Sequence, residues 1–281
     1  MAQQRQQVTG GGQIHAHDPI WQTVREEAEA VLHSEPALGS FVYSAVLGLD
    51  TLEEAIVYRL TQRLNHNDVD AGLLTKQFSG VLKSKPELGL TLRADMAAVV
   101  DRDPACNRFI EPMLYFKGFH ALATYRFAHE LWNVGRKDFA LYLQSQASKL
   151  FGTDIHPAAE FGKGIMLDHA TGFVVGETAR VGDNCSFLHG VTLGGSGKET
   201  GDRHPKIGNS VLIGAGAKVL GNIQVGCCSR IAAGSVVLKD IPSEVTVAGV
   251  PARIVGPAGC PEPSSSMDQQ LNLPTLDSEG E

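Results

Sequence analysis

Residues 155–191 read IHPAAEFGKGIMLDHATGFVVGETARVGDNCSFLHGV, and an apolar or small residue occupies every sixth position of this stretch. Those positions are Ile155, Phe161, Leu167, Phe173, Ala179, Cys185 and Val191, and the period resumes at Ile207, Ile213, Val219, Val225, Ile231 and Val237. A six-residue period fits neither the turn of a helix nor the alternation of an ordinary strand. It is typical of a parallel β-helix, in which each triangular coil uses about three hexads.

The period has one gap, because Ile207 comes sixteen positions after Val191 instead of six. The sequence therefore predicts a loop of ten extra residues. Segment 194–206, GGSGKETGDRHPK, is polar and contains an arginine and a histidine. Loops on a rigid scaffold often carry binding or catalytic residues, and we expect a functional role for this one.

The composition divides the chain into two domains and two tails. Nineteen of the 31 glycines fall between residues 151 and 258, and seven fall between 18 and 150. We predict a disordered polar tail over 1–17, a helical domain over 18–150, the β-helix over 151–256 and a disordered acidic tail over 257–281.

Two helix starts and four further helices are predicted in the helical domain. Asp18-Pro19 has the form of an N-cap followed by a first-turn proline, and Thr51 with Glu54 forms a capping box. The apolar pattern predicts the other helices at 69–83, 90–101, 111–134 and 137–150.

Charge and cysteine content limit the function classes. A net charge of -7 argues against a nucleic-acid partner or an anionic membrane. The five cysteines show no C-x-x-C spacing, so neither a disulfide framework nor a zinc site is suggested. No segment approaches the ~20 apolar residues of a membrane span. We expect a cytoplasmic protein without a metal.

Asp168 and His169 are adjacent in one hexad, where a structural coil usually has small or neutral residues. A histidine near neutral pKa suits general-base work. Asp154, fifteen residues earlier, is placed to approach the ring from the neighbouring coil and to hold its tautomer. The alternative is a histidine on a coil wall that bonds only its neighbour.

Arg203 and His204 are the candidate binding residues of the loop. An arginine can bind both oxygens of a carboxylate, although a solvated surface charge is the simpler explanation when the residue is taken alone. His156 and His189 are expected to be structural or solvent-facing. Segments 214–218 and 232–235 have small residues that leave a groove for an extended ligand.

The chain resembles the serine O-acetyltransferase family over about residues 18–256. The motifs that carry the resemblance in the β-helix are Asp154–Ala159, Asp168–Gly172, Gly176–Thr178, Gly201–Lys206 and Ala248–Arg253. In the helical domain they are Arg102–Ala105 and Lys117–Leu122. The helical motifs separate the chain from sugar and xenobiotic acetyltransferases with the same repeat, which by itself indicates only a left-handed parallel β-helix.

The resemblance implies transfer of acetyl from acetyl-CoA to L-serine, giving O-acetyl-L-serine, the first step of cysteine biosynthesis from serine. His169 would be the general base and Asp154 its orienting partner. Asp103 and Asp168 would hold the serine ammonium, and Arg203, with His204 alongside, its carboxylate. The residues implied for coenzyme A are Gly195, Ser196, Ala215 and Ala233.

The resemblance also implies a homohexamer, a dimer of trimers joined through the helical domains, with active sites between β-helices. L-cysteine is a possible feedback inhibitor. Many members dock a C-terminal isoleucine into O-acetylserine sulfhydrylase, whereas this sequence ends Leu276–Glu281, so we expect a weak complex or none.

Three alternatives remain open. A zinc hydratase of the carbonic-anhydrase type uses three histidines on such a β-helix, but the spacings between His156, His169, His189 and His204 oppose it. A purely structural trimerisation stalk would have repetitive polar walls, which Asp168-His169 and the loop contradict. An acetyltransferase for homoserine or a sugar is the closest rival.

Overall fold

The structure is a computed structural model that describes residues 18–197 and 200–271. It consists of a helical region followed by a parallel β-helix, which confirms the fold class predicted from the hexads. The predicted tail over 1–17 lies outside the described residues, as do residues 272–281.

Both predicted helix starts are confirmed by side-chain caps. The Asp18 carboxylate accepts a hydrogen bond from the Trp21 N–H at 3.2 Å, and Thr51 Oγ1 accepts one from the Glu54 N–H at 3.2 Å.

In the described ranges, no helix is long and apolar enough to cross a membrane. The helices are α1 (Pro19–Ser34), α2 (Gly39–Val42), α3 (Leu52–Leu64), α4 (Ala71–Ser84), α5 (Glu87–Arg102), α6 (Ile110–Leu114), α7 (Lys117–Asn133) and α8 (Lys137–Phe151), with a 3₁₀ turn at Pro36–Leu38 and a π-helical turn at Tyr43–Leu47.

The helix predicted over 111–134 is two helices, because the chain breaks between α6 and α7 at residues 115–116. The start of α7 packs directly on the first coil of the β-helix. A Cβ at Gly118 would overlap the carbonyl oxygen of Leu167, so glycine permits this close approach. The break thus brings the α7 start to the end of a β-helix strand.

A buried ion pair joins the helical region to the β-helix. Arg126 on α7 donates to Asp95 on α5, with Nε 2.5 Å from Oδ2, and its Nη2 donates to the Gly162 carbonyl at 2.7 Å. Asp95 Oδ1 also accepts the Ile165 N–H at 2.9 Å. Burial raises the pKa of Asp95, and the Arg126 charge opposes that effect. Because the pair also satisfies first-coil backbone groups, it fixes the two regions relative to each other.

Three parallel sheets form the walls of the prism, and their inward apolar residues form its core. Sheet I contains β1 (Thr153–Ile155), β4 (Phe173–Val175), β7 (Thr192–Gly194), β10 (Lys218–Leu220) and β13 (Val236–Val237). Sheet II contains β2 (Glu160–Phe161), β5 (Arg180–Val181), β8 (Lys206–Ile207) and β11 (Gln224–Val225). Sheet III contains β3 (Met166–Leu167), β6 (Ser186–Phe187), β9 (Leu212–Ile213), β12 (Arg230–Ile231) and β14 (Val245–Gly249), with β15 (Ala252–Pro257) antiparallel at its edge.

The strand register shows two insertions in the coils, where the hexads predicted one. Leu167 pairs with Phe187, 20 residues on, but Val174 pairs with Thr192, 18 residues on, so two extra residues lie between β3 and β4. Arg180 pairs with Lys206, 26 residues on, whereas later coils repeat every 18, so eight extra residues lie between β7 and β8. The prediction of a single ten-residue insertion is therefore wrong.

The six-residue count hides the shorter insertion because each wall has two inward positions, two residues apart. Phe173 and Val175, for example, are both buried in the same strand. An insertion of two residues moves the count from one inward position to the other, and the apolar period continues unbroken.

The structure differs from the predicted disordered tail between 257 and 271. Helix α9 (Pro263–Ser266) packs beside α5 and β9. Ser186 donates to the Ser264 carbonyl at 2.8 Å, and Arg230 Nη1 donates to the Asp268 carbonyl at 2.8 Å. Polar side chains on the outer face of sheet III thus bind backbone that composition alone marks as disordered.

Substitution Gly118→Ala is expected to lower the free energy of unfolding by about 1–3 kcal/mol, because the new methyl group overlaps fixed backbone. The matched control is Gly80→Ala in α4, where a Cβ meets nothing within 4 Å, and alanine should stabilise the helix by up to about 1 kcal/mol. Thermal unfolding of both variants checks the pair. Equal melting temperatures would contradict the close approach of α7 to β3.

Candidate active site

The corner that carries His169 contains the two-residue insertion. We call residues 168–172 the histidine corner. His169, Ala170 and Gly172 have φ of 56°, 57° and 73°. Left-handed backbone at a residue other than glycine costs roughly 1–2 kcal/mol, so the surrounding structure must hold this corner in place. In the next three corners of this edge the left-handed residue is a glycine, namely Gly190, Gly216 and Gly234.

The histidine corner faces a cleft of about 250 Å³ that it shares with the start of α7 and the end of α5. His169 is 75% exposed, and its Nε2 lies 3.7 Å from Oδ1 of Asp168. Asp103 lines the same cleft. Burial raises the pKa of Asp168, and the Asp103 charge adds to the rise while that of His169 opposes it. A cation bound between the two carboxylates would favour the charged form of Asp168 and so lower its pKa.

The described side chains do not form the predicted Asp154–His169 hydrogen bond. Asp154 lies on β1 with its side chain on the outer side of sheet I, and its Oδ1 accepts a hydrogen bond from Gln144 at 2.6 Å. Its role as the partner of His169 therefore stays a prediction.

The loop predicted over 194–206, which we call the extruded loop, belongs to a different edge of the prism, between sheets I and II. Thr178 holds it there, since Thr178 Oγ1 accepts the backbone N–H groups of Arg203 at 3.0 Å and His204 at 3.1 Å. Lys198 and Glu199, in the same loop, lie outside the described residues. The contact fixes Arg203 and His204 on the prism although they lie in an insertion.

His204 is buried beneath this loop. Its Nδ1 accepts the Thr178 N–H at 3.1 Å, so the neutral ring has its hydrogen on Nε2. A Cβ at Gly176 would overlap that Nε2, and glycine leaves space for the ring. Burial lowers the pKa of His204, and the charges of Arg203 and Lys206 act in the same direction. His204 is therefore a neutral hydrogen-bond donor near pH 7.

Arg203 forms an ion pair on the same edge. Its Nη2 lies 3.0 Å from Glu177 Oε2, and its Nη1 donates to the Gly201 carbonyl at 2.9 Å. The hydrogen bond from Arg203 lowers the pKa of Glu177. The guanidinium is thus held at the surface, where a second carboxylate can reach it.

The residues predicted for coenzyme A fall on both edges. Ala215 and Ala233 follow the histidine corner along the edge between sheets III and I, which we call the first edge, and lie beside Gly216 and Gly234. A Cβ at either glycine would meet nothing within 4 Å, so this edge offers open backbone to an extended ligand. Gly195 and Ser196 lie on the edge between sheets I and II, which we call the second edge, at the start of the extruded loop.

Two half-sites result. The first half-site is Asp103, Asp168 and His169, and the second half-site is Arg203 and His204. Strand β4 of sheet I joins the two edges, and its three residues extend about 10 Å. A single chain therefore holds the two half-sites apart, at opposite ends of the strands of sheet I.

Sequence reasoning missed three residues that support these groups. Glu177 and Thr178 hold the second half-site, and Lys117 donates a hydrogen bond to Thr171 in the histidine corner. All three lie in motifs that carry the family resemblance, but nothing in those motifs indicates a role for them. Over the residues described, no group of three or more His, Cys, Asp or Glu side chains is arranged to hold a metal ion.

A β-helix with an inserted histidine corner, carboxylates beside it and a basic loop on the next edge defines a hexapeptide-repeat acyltransferase. Known proteins specify the family. The family model "Serine acetyltransferase, N-terminal" matches residues 20–124. Serine acetyltransferase 2 of Arabidopsis thaliana is 51% identical over 89% of this chain and 77% of its own length.

Solved structures agree with that assignment. Serine acetyltransferase of Brucella abortus in complex with coenzyme A is 61% identical, with a TM-score of 0.86 over 87% of this chain and 98% of that one. A serine acetyltransferase in complex with cysteine is 48% identical, with a TM-score of 0.88 over 90% of this chain and 98% of that one. The chain belongs to the serine acetyltransferase family, and the resemblance predicted from its motifs is confirmed.

The lowered pKa of His204 predicts how the residue affects stability with pH. A buried neutral histidine stabilises the fold fully above its ordinary pKa of about 6.5, and this contribution is lost as the pH falls through the lower folded value. The variant His204→Asn keeps an acceptor and does not titrate. The melting temperature of the wild type minus that of the variant should therefore decrease between pH 7.5 and pH 5. An increase would mean that the folded state prefers the protonated ring.

Proposed function

We propose that the protein transfers the acetyl group of acetyl-CoA to the hydroxyl of L-serine, giving O-acetyl-L-serine and CoA, as the first step of cysteine biosynthesis from serine. The observation that carries the proposal is the first half-site, in which an exposed imidazole lies beside two carboxylates in one cleft. A base and an ammonium site are what an amino-alcohol acceptor requires. Family membership supports the same reaction.

His169 acts as the general base. Its neutral ring takes the proton of the serine hydroxyl as the oxygen attacks the thioester carbonyl. Collapse of the tetrahedral intermediate breaks the C–S bond, and the imidazolium returns the proton to the CoA sulfur. Asp154 turns toward His169 in the assembled site and stabilises the imidazolium. A positioned base of this kind increases the rate of the reaction by about 10²- to 10⁴-fold.

The ends of the amino acid are bound by opposite charges. Asp103 and Asp168 hold the serine ammonium, whose positive charge counteracts the burial and the Asp103 charge that together raise the pKa of Asp168. Arg203 binds the serine carboxylate with two N–H groups, and the Nε2–H of His204 donates alongside. An uncharged sugar has neither the ammonium nor the carboxylate that these residues bind. Homoserine is the closer rival, because its hydroxyl lies only one methylene farther from the charges.

The two half-sites meet when β-helices of neighbouring subunits pack side by side. The first edge of one subunit then faces the second edge of the next, and coenzyme A lies between Ala215 and Ala233 on one side and Gly195 and Ser196 on the other. We propose that three subunits packed in this way form a closed trimer and that two such trimers join through the helical regions.

L-cysteine binds the same charged groups and competes with serine. The free cysteines of the described residues fit a cytoplasmic enzyme.

The proposal is tested by thiol release from acetyl-CoA with L-serine, L-homoserine, a galactoside or no acceptor. Release should depend on L-serine, and His169→Ala should lower turnover at least ~10²-fold without changing the oligomer. The matched control is His189→Ala, because its ring lies 6.0 Å from that of His169 on the same edge. We expect the turnover of this control to fall less than about tenfold, which is well below the loss expected when a positioned base is removed.

Faster release with homoserine or the galactoside than with serine would refute the acceptor. Equal losses in the two histidine variants would show that the imidazole of His169 is not the base.

A further inference from the structure

The histidine corner has a strained backbone, and its contacts differ on its inner and outer sides. On the inner side Ala170 is buried, and its carbonyl accepts a hydrogen bond from Thr153 Oγ1 at 3.1 Å. Gly172 N–H donates to the Gly152 carbonyl at 2.7 Å. These contacts fix the side of the corner that faces the prism. They do not touch the side chains that face the cleft.

The outer side is held by a chain of polar groups that begins outside the β-helix. Lys117, the first residue of α7, donates from Nζ to Thr171 Oγ1. Thr171 Oγ1 in turn lies 3.4 Å from the His169 carbonyl, and the Thr171 N–H donates to that carbonyl at 2.7 Å. When Lys117 supplies a hydrogen to Thr171 Oγ1, the hydroxyl hydrogen is free to point at the His169 carbonyl.

We propose that Lys117 is a positioning residue that acts through Thr171 to fix the backbone of His169, and therefore the direction of its ring. The proposal rests on the proposed function only for its kinetic consequence. Two features of α7 make Lys117 suited to this role. The break between α6 and α7 directs the first turn of α7 at the end of β3, and Gly118 allows the backbones to touch.

A rigid corner has a catalytic benefit. A base contributes fully only when its nitrogen lies within hydrogen-bond reach of the proton it removes, and a small displacement of a reacting group is costly. His169 is 75% exposed, so few packing contacts restrain its ring. Until Asp154 and a neighbouring subunit complete the proposed site, the backbone of His169 is therefore the main restraint on its ring. Lys117 also lines the cleft with Asp168, and a merely electrostatic or binding role must be separated from positioning.

Hydrogen exchange of the substrate-free protein tests the positioning directly. The variants are Lys117→Met and Thr171→Val, with Lys163→Met as the control, since Lys163 is exposed at a corner of the first coil on another edge. We expect the amide exchange rates across residues 169–172 to rise about tenfold in the first two variants, because the equilibrium constant for local opening of the corner increases by that factor. The control should match the wild type. Unchanged exchange in Lys117→Met overturns the proposal, whatever the activity of the protein.

Kinetics with the intact oligomer then measure the consequence. Lys117→Met should lower kcat about tenfold, with the KM of both substrates within about twofold, as expected when only transition-state alignment is lost. Lys117→Arg should retain most of the activity because it keeps a donor. The double variant Lys117→Met/Thr171→Val should be no slower than either single variant, since both remove one interaction.

Three kinetic results would count against the proposal: losses that multiply in the double variant, a raised KM with unchanged kcat, or a loss that Lys117→Arg does not rescue. Wild-type protein without serine-dependent thiol release would refute the proposed function instead, and the exchange result would still decide whether Lys117 holds the corner.

Discussion

Backbone pairing between successive coils is the constraint on which the rest of this structure depends. Each wall residue pairs with a residue one coil away, as Arg180, Lys206 and Gln224 do in sheet II. The inward side chains of those walls fill the prism, so extra residues cannot enter a wall without breaking both the ladder and the core. They leave at corners. The two insertions do so at the two ends of the strands of sheet I. The first carries Asp168 and His169 of the first half-site, and the second carries the second half-site.

The hexads predict the prism because six-residue spacing and apolar character suffice to describe its walls. Local sequence also predicts the helix caps at Asp18 and Thr51. The chemistry of Asp168, His169 and Arg203 can be inferred from residue types in unusual places. The two-residue insertion cannot be seen, since each strand has two inward positions. Contacts between distant segments are also invisible, among them Gly118 against Leu167 and Ser186 against the Ser264 carbonyl. Composition predicts disorder for the segment around Ser264, because composition contains no information about the polar side chains on the outer face of sheet III that bind it.

The electrostatics of the two half-sites are complementary. The first half-site concentrates carboxylates in a half-buried cleft, which raises the pKa of Asp168. The second half-site carries the guanidinium of Arg203 and a histidine kept neutral by burial. Under the proposed function, the ammonium of an amino acid would bind the first half-site and its carboxylate the second, so both charges would be paired only where both half-sites are present. Because sheet I keeps the two half-sites apart in one chain, the proposed site would be completed only by a neighbouring subunit, and substrate binding would then depend on subunit association.

Mixed oligomers test this account most directly. Subunits with His169→Ala and subunits with Arg203→Ala, carrying different tags, are co-expressed and purified through both tags. If each site joins the first half-site of one subunit to the second of its neighbour, about a quarter of the sites in a random ring regain both residues, and serine-dependent activity returns. The matched control mixes His169→Ala with Asp168→Ala, which damage the same half-site in every subunit and should give no recovery. Verified mixed oligomers without recovered activity in the first combination would contradict a site shared between subunits.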